Sequence, residues 1–164
     1  MIKGDIMREI EEYIVNYETL VIMPIDTNKS KVYEYDDVFI VNMDVNQIIK
    51  NSCLYFGSSL EGRKEGTKHL INCEMKLPII VEDSQSLIFF PTSSYRNNKN
   101  VWISYNNLLK YTKIDNKNTM LYFKQNNNIN LLVKYNIIDN QIIRCIKLEA
   151  IINKRKIYSN QSEK

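Results

Sequence analysis

The residues best suited to chemistry crowd into one short stretch, Cys53-Leu-Tyr-Phe-Gly-Ser-Ser-Leu-Glu-Gly-Arg-Lys-Glu-Gly-Thr67. Three of the chain's four glycines, Gly57, Gly62 and Gly66, stand here, and the fourth is Gly4. Glycine admits positive φ and lets backbone approach a neighbour or ligand closely. Arg63 and Lys64 lie between the last two glycines, with the hydroxyls of Ser58, Ser59 and Thr67 to either side. Exposed N–H groups of a loop, two cations and three hydroxyls make a phosphate-binding surface. A basic surface turn that only closes a helix accounts for the same residues. The spacing Gly57-x-x-x-x-Gly62-Arg63-Lys64 approaches the P-loop pattern and misses it. Arg63 stands where the phosphate lysine belongs and Lys64 where the magnesium-binding hydroxyl belongs.

Other chemistry is excluded more sharply. His69 is the only histidine, so no His-based triad or multi-histidine metal site can form. Cys53, Cys73 and Cys145 are odd in number and lack a C-x-x-C spacing, which argues for free thiols over disulfides or structural zinc. The carboxylate pairs Asp36-Asp37 and Glu82-Asp83 fall at turn positions, where solvation explains them. No nucleophile has an evident base. The expectation is a non-enzyme with neither metal nor cofactor.

Charge points toward a polyanion instead. The net charge is only +3, but residues 1–40 hold four basic and nine acidic side chains, leaving the rest of the chain strongly positive. Such asymmetry fits a domain with one basic face, and equally an acidic start that pairs with the remainder. Besides Arg63 and Lys64, the cations Lys68, Arg96 and Lys99 fall on segments that read as loops, where phosphate contacts require little rearrangement. No helix-turn-helix, zinc-finger or RNA-recognition signature is present.

The elements that must position these groups read as an α+β single domain, mainly antiparallel hairpins with a central helix and a C-terminal helix. At 164 residues the chain suits one core. Asp44 is a helix N-cap for residues 45–56, with Val45, Ile48, Ile49, Cys53 and Phe56 on one face, and Gly57 closes it. The two later glycines argue for a loop beyond it, since each destabilises helix by about 1 kcal/mol against alanine. Residues 5–12 read as a short helix or frayed end, and 12–16 with 19–25 as a strand pair. Hairpins follow at 32–35 with 38–41, at 77–81 with 86–90, and at 119–124 with 129–135. Residues 91–100 are the longest loop, and Val101-Trp-Ile-Ser104 returns as a strand anchored by Trp102. The last helix spans 139–153, with a strand around Ile146 to Ala150 as the alternative. The domain is expected over 1–155, with 156–164 as a short polar, basic tail. No apolar run reaches the ~20 residues of a membrane span, and the N-terminus lacks a signal-peptide pattern, so the expected location is the cytoplasm.

The segment Tyr55 to Thr67 also resembles the central signature of the ComK-type competence transcription factors. The likeness continues in register through Val38-Phe-Ile-Val-Asn-Met43, Pro78-Ile-Ile-Val81, Ile88-Phe-Phe-Pro-Thr92 and Trp102-Ile-Ser104, over roughly residues 11–150. The resemblance implies a transcriptional activator of DNA uptake, associated with the nucleoid, that binds paired A/T-rich boxes of double-stranded DNA largely through the minor groove. It implies a homodimer or higher homo-oligomer. Ser58, Ser59, Arg63, Lys64, Thr67, Lys68, Arg96 and Lys99 are the residues expected at DNA. Family members typically carry a further C-terminal tail used by a proteolytic adaptor; Lys156 to Lys164 does not supply one, so adaptor control is not carried over. A diverged regulator acting through a protein partner, without DNA, is the alternative.

Overall fold

In the run Leu87-Ile-Phe-Phe90 every side chain is buried, Leu87 and Phe89 in one core, Ile88 and Phe90 in another. Successive side chains of a strand point to opposite faces, so this sheet is covered on both. The computed structural model, which describes residues 7–162, shows the sheet and its covers. Its strands are β1 (Arg8–Ile10), β2 (Val21–Asp26), β3 (Lys29–Tyr33), β4 (Val38–Val41), β5 (Ile79–Glu82), β6 (Leu87–Pro91) and β7 (Trp102–Ser104). They run in the order β1-β4-β3-β2-β7-β6-β5, antiparallel except for β1 against β4. A second antiparallel sheet holds β8 (Leu108–Lys113), β9 (Thr119–Phe123) and β10 (Asn127–Leu131).

Helix α1 (Val45–Tyr55) covers one face of the large sheet, packing Ile48, Ile49 and Cys53 against Ile22, Phe89 and Trp102. The small sheet and helix α3 (Tyr135–Ser162) cover the other, where Leu121, Phe123, Ile138, Cys145 and Leu148 meet Val21, Phe90 and Ile103. Helix α2 (Leu60–Ile71) crosses the β5 edge, with Leu60 in the first core and Ile71 in the second. It closes an edge that would otherwise invite pairing with another chain. This is the expected α+β arrangement, with its antiparallel strands, α1 capped by Asp44 and a C-terminal helix.

Several local expectations are corrected. The glycine-rich segment is helix rather than loop. The Ser59 hydroxyl accepts from Gly62 N–H at 3.0 Å, and burial of Leu60, Thr67 and Ile71 holds the turns. Two glycines in a helix oppose it by about 2 kcal/mol. Two buried aliphatic side chains at roughly 1.5–3 kcal/mol each and a cap worth ~1 kcal/mol outweigh that. Near the N-terminus, the expected helix is replaced by β1, paired in register Arg8↔Phe39 to Ile10↔Val41; Asp5 and Ile6 lie outside the described residues. A helix of so few residues is unfavourable to nucleate, whereas the β4 edge offers ready backbone partners. Residues 12–16 are not a strand. They cross α1, with Val15 N–H donating to Ser52 Oγ at 3.0 Å. Strand β8 had no sequence signal because its side chains are mostly exposed or half-exposed, leaving no apolar alternation to read. The last helix starts four residues earlier than expected and runs on to Ser162, well past Asn153.

Candidate nucleic-acid interface

The end of α1 and the start of α2 are joined by a turn of four residues, Phe56 to Ser59. Gly57 adopts φ +82, a left-handed conformation suited to glycine at a helix C-terminus. Ser58 N–H then donates to Cys53 O at 2.9 Å, and Ser59 in extended conformation caps α2. A Cβ on Gly62 would lie 2.9 Å from Ser59 Oγ, so glycine here is what lets the capping hydroxyl come close.

Once α2 is helical, Arg63 and Lys64 diverge, because successive helical residues are about 100° apart. Arg63 Nε donates to Ser58 Oγ at 3.2 Å and borders a small groove shared with Asp83 and Ile152. Its guanidinium partly offsets the burial that pushes the Cys53 thiol up to about 11. Lys64 turns the other way. Its ammonium is 3.1 Å from Glu61 Oε1 and 4.2 Å from the centre of the Tyr95 ring. Lys68 ion-pairs with Glu74 at 2.6 Å, a hydrogen bond that raises its pKa. Thr67 faces inward, only 2% exposed, with Oγ1 donating to Pro78 O at 2.8 Å; its hydroxyl serves the β5 edge, away from the surface.

The segment between β6 and β7, residues 92–101, is held from within. Asn46 of α1 accepts from Trp102 Nε1 at 3.0 Å and donates to Tyr95 O at 2.6 Å. Asn100 Oδ1 accepts from the backbone N–H groups of Thr92 and Ser93, both at 3.1 Å. The Tyr95 ring stacks on Trp102 with centroids 5.1 Å apart, and its hydroxyl donates to Leu77 O at 2.6 Å. Burial drives the Tyr95 phenol far above its ordinary pKa, so it stays a neutral donor. Arg96 and Lys99 project from this braced segment and are exposed.

Two grooves flank it. One, of about 450 Å³, brings Lys64, Lys76 and Arg96 together beside Tyr95 and Ser94. The other, of about 410 Å³, is lined by Lys99, Lys117 and Lys134 with Leu132, Val133 and Ile137. Among the described residues Glu74 is the one carboxylate lining either groove, and it is paired to Lys68. Among the described residues, neither Arg96 nor Lys99 nor these three added lysines forms an ion pair. The sequence expectation therefore divides. Lys64 and Arg96 meet in one groove, Lys99 stands at the other, Arg63 sits on a separate face of α2 bonded to Ser58 of the preceding turn, and Ser59 is a cap. Lys76, Lys117 and Lys134 escaped the reading because isolated lysines far apart in the chain leave no spacing signal.

Among the described residues no group of three or more His, Cys, Asp and Glu could hold a metal ion, and no helix is long and apolar enough to cross a membrane. Comparison with known proteins gives one consistent result. The family model described as ComK protein matches residues 10–157. The competence transcription factor of Bacillus subtilis (strain 168) is 35% identical over 138 residues, covering 82% of this chain and 72% of the relative. No solved structure matches.

Proposed function

The chain belongs to the ComK family, and from that premise we propose that it is a competence transcription factor, a regulator without catalytic activity, that binds A/T-rich double-stranded DNA in the cytoplasm as a pair of identical chains. The observation that carries the reading is the braced 92–101 segment with a basic groove on each side. Lysines spread over both grooves neutralise phosphates on the two strands bounding a minor groove, and such contacts set register without reading bases. Arg96, exposed on this braced segment, would then enter the groove itself. An A-tract narrows the minor groove and deepens its negative potential, which favours an inserted arginine. Arg63, tied to Ser58 and lining neither groove, is less suited to that role.

The test is a gel-shift comparison of A/T-rich and G/C-rich duplexes at two salt concentrations. The expected result is selective binding that weakens steeply with salt. Absence of binding at low salt would instead favour a regulator working through a protein partner.

A further inference from the structure

Helix α3 is buried along one side and apolar along the other. Ile138, Cys145 and Leu148 are fully buried against the body, while Ile143, Ile146 and Ile157 are 56%, 52% and 58% exposed. With about 100° per residue, the exposed set points almost directly away from the packed set. Ala150 is exposed between them. A surface helix ordinarily turns charged and polar side chains to that side. Here Ile143, Ile146, Ala150, Asn153 and Ile157 recur at alternating steps of three and four, the heptad core spacing of paired helices.

We propose that this stripe is a homodimer seam, in which α3 packs in parallel and in register against α3 of a second copy. The inference rests on the two-copy reading above and names its surface. The flanking charges choose both the occupant and its direction. In the parallel arrangement Glu149, preceding the core position of Ala150, faces Lys154 of the other chain, and symmetry supplies this pair twice. Tyr105 OH donates to Glu149 Oε1 at 3.3 Å, which orients the carboxylate and leaves its other oxygen to accept. Among the described residues Lys154 has no ion-pair partner within its own chain. An antiparallel arrangement would set Lys147 against Lys154 of the partner, placing like charges together. The polar Asn153 meets its own copy only in register, where two amides can hydrogen-bond, a device that selects register at some expense of stability. The seam is about 21 Å long, so the dimer is a modest one in free solution.

The experiment is done on the full chain without DNA. Sedimentation equilibrium at high micromolar concentration is expected to show a dimer for the native chain and a monomer for Ile146→Asp/Ile157→Asp, with unchanged Trp102 emission. Ala150→Cys and Ile146→Cys should both form a disulfide-linked dimer on mild oxidation, since an antiparallel pair brings at most one position, at its two-fold axis, against its own copy. Glu149→Lys and Lys154→Glu should each weaken the dimer about tenfold, and the double exchange should restore it. A native chain that stays monomeric would overturn the two-copy reading together with this one. A dimer that survives both aspartates and yields neither disulfide would overturn the seam alone, and neither result bears on DNA binding.

Discussion

Lys64 lies with its ammonium 4.2 Å from the centre of the Tyr95 ring, whose other neighbour, 5.1 Å away, is the buried indole of Trp102. One cation on a surface helix is thus supported through an aromatic pair by the core. A groove lysine held in this way gives up less side-chain freedom when it meets a phosphate than one waving in solvent.

Charge removal should distinguish the grooves from the rest of the surface. Lys64→Ala/Arg96→Ala and Lys99→Ala/Lys117→Ala are each expected to flatten the slope of log K against log salt by about 1.8, at about 0.9 per phosphate contact. Arg96→Ala alone should also reduce the preference for A/T-rich duplex. Lys68→Ala should do little, because Lys68 lines neither groove. Salt titrations by fluorescence anisotropy provide the readout, and unchanged slopes for both pairs would remove the grooves from consideration.

Asn46 should prove the brace of the 92–101 segment. Replacing it with alanine leaves Trp102 Nε1 and the Tyr95 carbonyl without their partners. Stranding buried polar groups destabilises by about 1–3 kcal/mol each, so Asn46→Ala is expected to lower the urea midpoint distinctly. The native Trp102 emission should be blue-shifted, as its complete burial demands. DNA affinity should fall in Asn46→Ala although residue 46 carries no charge.

The two α2 glycines should answer alanine differently. Gly66 has open space where a Cβ would go and an ordinary helical backbone, so Gly66→Ala is expected to stabilise by up to about 1 kcal/mol. Gly62→Ala gains the same propensity but pushes against Ser59 Oγ, losing a cap worth ~1 kcal/mol, and should show no net gain. In a Ser59→Ala background the obstacle is gone, and the Gly62→Ala gain should reappear. Thermal or urea unfolding of the four variants completes the cycle.

Alkaline pH should weaken the fold through its buried thiols. Burial raises the Cys53 thiol from its ordinary 9.0 to about 11, and raises Cys145 further still. A raised folded-state pKa contributes stability that is present below the unfolded value and lost as pH climbs through the folded one. The melting temperature should therefore decline from about pH 9 toward 11, and Cys53→Ala/Cys145→Ala should decline less steeply from its own lower starting point. At neutral pH a thiol reagent should reach half-buried Cys73 first, with Cys53 and Cys145 reacting only on unfolding.

What the sequence determined by itself was every element whose signal is local or periodic. Asp44, the apolar face Val45-Ile48-Ile49-Cys53 and Gly57 specify α1 from cap to close, and the doubly apolar runs 79–81 and 87–90 specify strands covered on both faces. The ordered blocks from Val38 to Ser104 pointed to the family before any geometry was known. Tertiary structure decided the rest, wherever a distant partner outweighs local preference. Gly62 and Gly66 became helical because Leu60 and Ile71 bury on opposite sides of the β5 edge. Arg8 to Ile10 became a strand because β4 offered an open edge. The grooves are the clearest case. Lys64, Lys76 and Arg96, and likewise Lys99, Lys117 and Lys134, come from separate segments of the chain. No spacing rule relates them; only the packing of those separate segments around residues 92–101 makes them neighbours, and neighbouring cations act on a polyanion together.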